Sequence, residues 1–420
     1  MTYTLYRLLM WLLVPWALLR LLIRSRRQPA YLANVAERFG FYSQEPVRPV
    51  IWIHAVSVGE ARAAQPLIRA LTERHPDKQI LVTNMTPTGR ETSRDLFGNT
   101  VLNCYLPYDL VPAVERFLRH FSPVSALVME TELWPTLVAR CARRGTAVQL
   151  VNARLSERSA KRYKRFATLS RRMLNELKII CTQTERDAAR FRQLGAPRVE
   201  VTGNMKFDRE APQEQLTLGA QLRKLFGQQR HIFLAASTRD DEEALLLDAI
   251  ANAIDPDLLT VPDLLTVIVP RHPQRFDSVA DLLRRTGMTY QRRSDDQAID
   301  ATTRVVLGDS MGEMFAYYAA CDVAFVGGSL LPLGGQNLLE ACAVGKPAIV
   351  GPHTFNFEEA TEQAVEAGAA VRVDDAQMLV STVSSLLADP ARTKQIGDAG
   401  RRFMEMHRGA TERTLKAIGL

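Results

Sequence analysis

The segment VIWIHAVSVGEARAA at residues 50–64 contains the pattern that decides the fold. A continuous apolar run, typical of a strand buried on both faces, leads into a loop of small residues and then into a helical pattern. Further apolar runs follow: ILVTNM (80–85), ALVMET (126–131), AVQLVNA (147–153), KIICTQ (178–183) and VEVTGNMKFD (199–208). Helical stretches such as 61–75 and 133–145 lie between them, which predicts βαβ units around a parallel sheet.

The same alternation begins again after the polar, proline-containing segment 209–217. Its apolar runs are HIFLAAS (231–237), LLTVIVPRHP (264–273), TRVVLGDS (303–310), DVAFVGGS (322–329) and KPAIVGPH (346–353). Because 420 residues exceed the usual size of one hydrophobic core, two domains are expected. We predict two Rossmann-like α/β domains facing a cleft, at 26–208 and 218–420, with 209–217 as linker and 1–25 as an anchor. In such sheets, ligands bind beyond the carboxyl ends of the strands.

The N-terminal segment is strongly apolar. LLMWLLVPWALL at 8–19 carries no charge, and with its neighbours it is about long enough to span a bilayer if Arg7 and Arg20 extend toward the headgroups. Pro15 would kink such a helix. The segment fits a single span, an interfacial anchor or a buried core helix. It does not fit a cleaved signal peptide, because no small-residue cleavage site follows it. The arginines within 24–27 predict, by the positive-inside rule, that the main body lies in the cytoplasm.

The positive charge is concentrated in the first half of the chain. Residues 1–210 contain 33 Lys and Arg against 18 Asp and Glu, whereas residues 211–420 contain 20 against 28. A basic half indicates an anionic partner: nucleic acid, anionic lipid or a phosphorylated substrate. The segment ARLSERSAKRYKRF (153–166), with Arg171 and Arg172 after it, is a solvated helix face or, beside an anchor, a surface for anionic lipid headgroups.

Acidic residues follow two strands of the predicted first domain. Glu60 stands where a helix begins, so it is either a capping group or a general base, and the pattern alone does not separate these roles. Glu130 and Glu132, in METELWP (129–135), follow a buried apolar run. The alternative to a functional role is that one of the two glutamates only starts the next helix, with Pro135 in its first turn.

Basic residues lie at the ends of two other predicted strands. Lys206 and Asp208, in GNMKFD (203–208), end the last strand of the first half, where an exposed linker lysine is the alternative to a functional one. Arg271 and His272, in VPRHP, leave a strand directly. The planar guanidinium of arginine suits phosphate or carboxylate, although a surface turn is also possible.

A turn in the second half could bind phosphate or a base edge. GDSMGEMF at 308–315 predicts a strand, a glycine-containing turn and a helix. The first turn of that helix is expected to hold Met311, Gly312 and Glu313. Free backbone N–H groups at such a helix start can meet an anion or a hydrogen-bonding edge of a base.

The longest glycine-containing motif is GGSLLPLGGQNLLEACAVGKP at 327–347. It predicts a strand that ends in two glycines and a loop with two more, leading into a helix near Gln336. Glycine permits close approach of backbone to an anion, and Glu340, one turn in, could accept hydrogen bonds from ribose. It is neither a dinucleotide fingerprint after a first strand nor a Walker loop, so neither activity is supported.

Together these motifs resemble the Kdo transferases of Gram-negative bacteria, which add 3-deoxy-D-manno-octulosonic acid (Kdo) to the lipid A precursor. The motifs that carry the resemblance, in order, are HAVSVGE, TPTG (86–89), METELWP, NARLS (152–156), PRHP, GD-MGE, FVGGS, GGQNLLE and GPHTFNF. They extend over nearly the whole chain. Many relatives have His where Gln336 stands, and Gln cannot carry a charge, so a proton-donor role at this position is in doubt.

The resemblance implies a GT-B fold and transfer from CMP-Kdo with inversion at the anomeric carbon. It makes Glu60 the base and places Glu130 and Lys206 where they stabilise the transition state. The CMP-binding positions that it implies are Arg271, His272, Met311, Gly312, Glu313, Asn337, Leu338, Leu339 and Glu340. The implied acceptor is the tetraacyl lipid A precursor, lipid IVA.

Elementary chemistry agrees with these roles. An acceptor hydroxyl has a high pKa, so a carboxylate such as Glu60 must take its proton as the new bond forms. Arg271 can hold the departing phosphate, and Lys206 can meet the carboxylate of Kdo. The chain has no D-x-D motif near a strand end or His/Cys cluster, and its five cysteines are scattered without a CxxC pair. We therefore expect no disulfide framework, no cofactor and metal-independent catalysis.

Two other functions remain open at this stage. One is a GT-B transferase that uses a UDP-sugar, and the other is a non-catalytic protein that binds anionic lipid. Nucleic acid is not expected as a partner, because the basic half lacks an aromatic stacking pattern. The number of Kdo residues transferred does not follow from these motifs, since it depends on how the acceptor domain accommodates a product.

Overall fold

The computed structural model describes residues 2–26, 28–251 and 263–420, so Arg27 of the predicted basic flank lies outside the described residues. The chain divides into two compact units. Unit 1 consists of Met1–Arg209 together with His407–Leu420, and unit 2 consists of Glu210–Met406. Each unit contains its own sheet and its own hydrophobic core.

Unit 1 is built on seven parallel strands in the order β3-β2-β1-β4-β5-β6-β7. The strands are β1 Val50–His54, β2 Gln79–Asn84, β3 Leu102–Tyr105, β4 Ser125–Met129, β5 Ala147–Ala153, β6 Ile179–Thr182 and β7 Val199–Val201. The helices are α1 Tyr3–Leu12, α2 Val14–Ser25, α3 Val58–Ala63, α4 Gln65–Arg74, α5 Pro87–Phe97, α6 Val111–Phe121, α7 Pro135–Arg143, α8 Glu157–Arg165, α9 Ala167–Asn175, α10 Glu185–Gln193 and α19 Ala410–Ile418. Short 3-10 turns lie at Pro29–Leu32, Val35–Phe39, Gly98–Thr100 and Met205–Asp208.

Unit 2 is also a seven-stranded parallel sheet, in the order β10-β11-β9-β8-β12-β13-β14. Its strands are β8 His231–Thr238, β9 Leu264–Pro270, β10 Tyr290–Arg292, β11 Val305–Leu307, β12 Val323–Val326, β13 Ala348–Val350 and β14 Ala370–Arg372. Its helices are α11 Gln213–Phe226, α12 Glu242–Ala251, α13 Phe276–Arg285, α14 Met314–Ala320, α15 Leu339–Ala343, α16 Glu358–Glu366, α17 Ala376–Ala388 and α18 Pro390–His407. The prediction of two α/β units with parallel sheets is confirmed.

The central strands are mostly apolar because helices cover both faces of each sheet. All five residues of β1 are buried, with Trp52 packed on Phe117 of α6 and Ile53 in a second cluster on the other face. Burial on both faces explains why these strands read as continuous apolar runs rather than alternating ones. Their carboxyl ends carry the loops that hold the candidate site residues.

The domain boundary differs from the prediction at two places. Residues 213–217 of the expected linker already belong to α11, because the segment from Gln213 onward continues a helical pattern without a break. The last helix, α19, packs on unit 1 rather than within the predicted domain 218–420. Asp208 holds its start, since the carboxylate accepts hydrogen bonds from the N–H groups of Gly409, Ala410 and Thr411 at 2.7, 3.3 and 2.5 Å.

The N-terminal segment forms two helices rather than one, with a bend of 42° between α1 and α2. Among the described residues no single helix is long and apolar enough to cross a membrane, although this bent pair has the required length and composition. Pro15 lies in the first turn of α2, as expected for a helix that restarts there. The pair exposes many large apolar side chains: Leu5, Leu8, Leu9, Trp11, Leu12, Leu13, Trp16, Leu19, Leu22 and Ile23.

Helix α1 is attached to unit 1 by a buried polar contact. The hydroxyl of Tyr6 donates a 2.8 Å hydrogen bond to Asp109, whose carboxylate also accepts from the N–H groups of Thr136 and Leu137 in the first turn of α7. Arg172 of α9 stacks over the ring of Tyr3, with its guanidinium carbon 4.5 Å from the ring centre. The helix pair therefore contacts the folded body at α7 and α9.

Candidate active site and its relatives

Glu60 lies in the first turn of α3, directly after the loop that follows β1. Its carboxylate accepts a 2.7 Å hydrogen bond from the N–H of Val56 and a 3.2 Å hydrogen bond from the hydroxyl of Ser57. These contacts are those of a helix-capping group, yet the side chain is only 7% exposed. The capping and catalytic interpretations are therefore compatible, because the bonds that cap the helix also fix the carboxylate in place.

Burial dominates the electrostatics of Glu60. Loss of solvation raises the pKa of its carboxyl to about 8, and the negative charges of Glu130 and Glu132 add to the rise. The hydrogen bonds from Val56 and Ser57 oppose it. A carboxylate of this kind is a much stronger base than an ordinary one once it is ionised.

The start of α5 lies against the loop that carries Glu60. The N–H of Met85 donates to the carbonyl of Val56 at 3.2 Å. A Cβ atom at Gly89 would lie 2.9 Å from that same carbonyl oxygen, so only glycine permits this approach. The TPTG motif therefore packs beside Glu60 rather than elsewhere in unit 1.

Glu130 and Lys206 are brought together by separate segments of unit 1. The Nζ atom of Lys206 lies 3.6 Å from Oε1 of Glu130, and both side chains are largely buried. Glu130 has a φ of 55°, and its N–H donates to the carbonyl of Val151 at 3.0 Å. The strand thus stops at Met129, and the left-handed residue after it turns the chain away from the sheet.

The predicted strand at 199–208 is wrong in its second half. β7 ends at Val201, and Lys206 and Asp208 lie in the 3-10 turn that follows. The side-chain oxygen of Asn152, at the end of β5, accepts from the N–H of Met205 at 3.0 Å and so holds the turn that presents Lys206. Asn152 has a φ of 50°, which places its amide at the sheet edge.

His54 ends β1 and is fully buried. Its Nδ1 atom lies 3.1 Å from the carbonyl oxygen of Thr83, and its Nε2 atom has no hydrogen-bond partner among the described residues. Burial lowers the pKa of the imidazole to about 4. His54 is therefore neutral at physiological pH and does not supply a positive charge near Glu60.

In unit 2, Arg271 follows β9 and reaches Gln336. Its Nε donates a 3.3 Å hydrogen bond to Oε1 of Gln336, and its backbone N–H donates to the carbonyl of Thr238 at 2.9 Å. Burial lowers the pKa of Arg271, and the carboxylate of Glu340 opposes that effect. Gln336 accepts this bond, which a protonated histidine could not do.

His272 lies beside Arg271 at the same strand end. Partial burial and then the positive charge of Arg271 lower the pKa of its imidazole below the usual value. The shift favours the neutral ring, which can donate or accept a hydrogen bond without adding charge to the site.

Residues Met311, Gly312 and Glu313 precede a helix rather than forming its first turn, because α14 begins at Met314. Gly312 has a φ of 81°, and Met311 is half exposed. Glu313 accepts a 2.7 Å hydrogen bond from the hydroxyl of Ser310. The turn that these residues form follows β11, the strand next to β9, so it neighbours Arg271 along the sheet edge.

The helix predicted near Gln336 begins three residues later, at Leu339. The side-chain oxygen of Asn337 accepts from the N–H of Leu339 at 3.2 Å, and its amide donates to Oε1 of Glu340 at 3.3 Å. Leu338, Leu339 and Glu340 are buried. The motif is therefore a compact turn closed by Asn337.

Arg239 is a candidate that the motif analysis missed. It follows β8 in the segment STRDD (237–241), and its aliphatic stem lies over Gly328, where a Cβ atom would be 3.4 Å from Cγ of Arg239. The same Cβ atom at Gly328 would lie 3.2 Å from Nε2 of Gln336. The available signal was the location of Arg239 directly after the first strand of the second series.

The described residues contain neither a cluster of metal ligands nor a disulfide. Within residues 2–26, 28–251 and 263–420, no group of three or more His, Cys, Asp or Glu side chains is arranged to hold a metal ion. The cysteines are all buried and unpaired with one another: Cys104, Cys141, Cys181, Cys321 and Cys342.

Comparison with known proteins identifies the family. Residues 33–209 match the family model described as 3-deoxy-D-manno-octulosonic-acid transferase, and residues 288–403 match glycosyl transferases group 1. The 3-deoxy-D-manno-octulosonic acid transferase of Bordetella pertussis is 43% identical over 91% of this chain and 89% of that protein. The chain belongs to the Kdo transferase family. The enzyme of the same name from Haemophilus influenzae is 40% identical over 94% of this chain and 92% of its own length.

Solved structures support the architecture of this Kdo transferase. A UDP-GlcNAc 2-epimerase from Neisseria meningitidis superposes with a TM-score of 0.60 over 88% of this chain and 99% of that one, at 15% identity. A glycosyltransferase from Rickettsia africae gives 0.59 over 89% and 97%, at 12% identity. These likenesses concern the fold, and the predicted GT-B class is confirmed. The chain is a glycosyltransferase, so the alternative of a non-catalytic lipid-binding protein is wrong.

Proposed function

We propose that this Kdo transferase carries out inverting transfer of Kdo from CMP-Kdo to lipid IVA, with Glu60 as the general base and without a metal ion. The observation that carries the proposal is the state of Glu60. Its carboxylate is buried, fixed by Val56 and Ser57, and has a pKa raised to about 8. A group of this kind, at the carboxyl end of a central strand, is suited to remove a proton from a hydroxyl.

The proposed reaction balances with a single base. Glu60 takes the proton of the acceptor hydroxyl while the hydroxyl oxygen forms a bond to the anomeric carbon of Kdo. The bond from that carbon to the phosphate oxygen breaks, and CMP leaves with the electron pair. Because attack occurs opposite to the leaving group, one such displacement inverts the anomeric configuration.

Glu130 and Lys206 are proposed to stabilise the charge that develops in this step. The 3.6 Å ion pair holds the Lys206 ammonium in a defined position, and Asn152 fixes the turn that carries it. A buried ammonium offers stronger stabilisation than an exposed one because little water screens it. We keep the sequence-based proposal that Lys206 meets the Kdo carboxylate.

Unit 2 is proposed to bind the CMP moiety. Arg271 supplies a partly buried guanidinium for the phosphate, while the turns at 311–313 and 337–340 supply backbone and side-chain hydrogen-bonding groups. With Arg271 offsetting the charge of the leaving phosphate, catalysis without a metal ion is chemically reasonable. A UDP-sugar donor is the competing proposal.

The acceptor is proposed to reach unit 1 from a membrane, at the cytoplasmic face of the inner membrane. Helices α1 and α2 expose many large apolar side chains, whereas α8 and α9 expose basic ones, and Arg172 of α9 contacts Tyr3 of α1. The basic residues are Arg158, Lys161, Arg162, Lys164, Arg165, Arg171 and Arg172. Apolar and basic surfaces together suit an interface with anionic lipids. The basic side chains would also attract the phosphates of a lipid A precursor.

The test is product analysis with purified protein, CMP-Kdo and lipid IVA. Mass spectrometry should detect lipid IVA with added Kdo, and the spectrum also counts the Kdo residues. Activity should persist in excess EDTA and should be absent when a UDP-sugar replaces CMP-Kdo. Transfer from the UDP-sugar alone would overturn the donor assignment, and complete loss in EDTA that added Mg²⁺ restores would overturn metal independence.

A further inference from the structure

We propose that Arg239 is a further donor-binding residue, whose guanidinium binds an anionic group of the nucleotide sugar beside Arg271. This inference rests on the proposed CMP-Kdo donor and extends it to a residue outside the motifs that the family resemblance supplied. The anionic group is either the phosphate or the sugar carboxylate, and both can be bound by the same planar fork of N–H donors.

The position of Arg239 in the sheet is the first support. β8 is the central strand of unit 2, with β9 on one side and β12 on the other. Chain order reverses between β8 and β12, and open parallel sheets bind their ligands at such a reversal, beyond the carboxyl ends of the strands. Arg239 is the first residue after β8, and Arg271 is the first after β9, so the two arginines leave adjacent strand ends.

Local contacts hold Arg239 at this edge. Its backbone N–H donates a 2.9 Å hydrogen bond to Glu242, whose buried carboxylate also accepts from the N–H of Gly328 at 2.5 Å. The stem of Arg239 consequently lies over Gly328, opposite Gln336. Gln336 in turn accepts from Arg271, so a single amide side chain borders both arginines.

The guanidinium of Arg239 has no carboxylate partner among the described residues. Its Nε atom is buried without a hydrogen-bond partner, although the residue as a whole is only half-buried. Arg275, by contrast, is paired with Glu243 by two 2.7 Å hydrogen bonds. A buried Nε–H group without an acceptor is costly unless a ligand completes its hydrogen bonding.

The charges at this edge also match the donor. The positive charge of Arg239 contributes to lowering the pKa of both Arg271 and His272, which shows that the three groups lie close together. CMP-Kdo carries two negative groups, a phosphodiester and a sugar carboxylate. A second arginine beside Arg271 adds a positive charge at the strand ends where one of these anionic groups would bind.

The experiment measures binding of CMP and of CMP-Kdo to the full-length protein by calorimetry. Arg239→Gln removes the charge, and Arg239→Lys keeps the charge but loses the fork. The backbone bond to Glu242 remains in both variants. Arg284→Gln on α13 is the matched control, because it removes an exposed arginine of the same unit. Thermal unfolding of each variant verifies that the fold is retained.

Arg239→Gln should weaken CMP-Kdo binding by about 10- to 100-fold, the usual effect of losing a charge-assisted pair, and Arg239→Lys should lose less. If CMP binding falls equally, Arg239 binds the phosphate; if only CMP-Kdo binding falls, it binds the sugar carboxylate. Unchanged affinity of a folded Arg239→Gln variant for both ligands would overturn the inference. Failure of the unaltered protein to bind either ligand would instead overturn the proposed donor.

Discussion

The hydroxyl of Tyr6 and the carboxylate of Asp109 form a 2.8 Å hydrogen bond inside unit 1. Asp109 is fully buried, and burial raises the pKa of its carboxyl although hydrogen bonds from Thr136, Tyr6 and Leu137 oppose the rise. The same carboxylate holds the first turn of α7, which follows the loop of Glu130 and Glu132. The N-terminal helix pair is therefore packed into the domain that carries Glu60, rather than being joined to it only through the chain.

Replacing Tyr6 by Phe should destabilise unit 1. The change removes one donor from a buried carboxylate, for which a loss of about 1–3 kcal/mol in the free energy of unfolding is usual. Urea denaturation provides the measurement. Tyr31→Phe is the control, since the hydroxyl of Tyr31 accepts only a 3.4 Å bond from the exposed Arg24, and this variant should unfold like the unaltered protein. Equal stability of both variants would show that Asp109 needs no donor from Tyr6.

Charged substitutions on the exposed face of the helix pair should release the protein from membranes. Leu12→Glu and Trp16→Glu place charges on side chains that are more than half exposed, and neither touches the contact of Tyr6 with Asp109. We expect a large drop in cosedimentation with anionic vesicles and little change in unfolding. Deletion of residues 1–24 should act the same way. If the deleted protein still sediments, attachment lies in the basic segment 153–172.

Replacing Glu60 by Gln should abolish most of the turnover while leaving the donor bound. Loss of a general base typically lowers kcat by about 100- to 10,000-fold, and the amide keeps an acceptor for the N–H of Val56. Steady-state kinetics and CMP-Kdo affinity are the measurements. Glu73→Gln, on the exposed surface of α4, is the control that should retain full activity. Turnover near normal in Glu60→Gln would remove Glu60 as the base.

The acid side of the pH profile should report the ionisation of Glu60. Because the base acts in its ionised form, kcat/KM should rise with pH through about 8, the pKa to which burial raises this carboxyl. Glu130→Gln removes a negative charge that helps to raise the pKa of Glu60. The acid side of the plot of kcat/KM against pH should therefore move to lower pH, even if the maximum rate also falls. A limb that stays in place would show that Glu130 does not act on Glu60.

The stability of the protein should depend on the same ionisation. The folded-state pKa of about 8 lies above the ordinary value of 4.5, so the folded protein binds this proton more tightly than the unfolded chain. Stability from this source is present below pH 4.5 and is lost as the pH rises through 8. Glu60→Gln has no carboxyl to ionise, so its free energy of unfolding should not fall in this way. The free energy of unfolding of the variant relative to the unaltered protein should therefore rise by roughly 1–4 kcal/mol from pH 5 to pH 9. Parallel urea curves at both pH values would contradict this.

The sequence predicted those parts of the fold that are encoded locally. β1 was recognisable because its residues before His54 are all apolar, which follows from burial on both faces. β3, β10 and β14 were not recognised, since they are three or four residues long and each contains polar side chains. Periodicity needs more residues than these strands provide.

The site residues were predictable to the extent that they follow strong strands. Glu60 and Arg271 satisfy that condition, and the structure brings Lys206 to Glu130 although 76 residues separate them. That pairing depends on strand order, which a single sequence does not specify. Arg239 was missed for a related reason: β8 was recognised, but its central place between β9 and β12 appears only once the sheet is assembled.

The return of α19 to unit 1 has a consequence for synthesis of the chain. Ala410, Leu415 and Ile418 of α19 belong to the same hydrophobic core as Ile51 and Leu67. This core therefore stays incomplete until the ribosome has made all of unit 2. Unit 2 is contiguous and can finish folding while the helix that completes unit 1 is still being translated. Unit 1, although its sheet is made first, is thus expected to reach its native state last, and until then part of its apolar core stays uncovered.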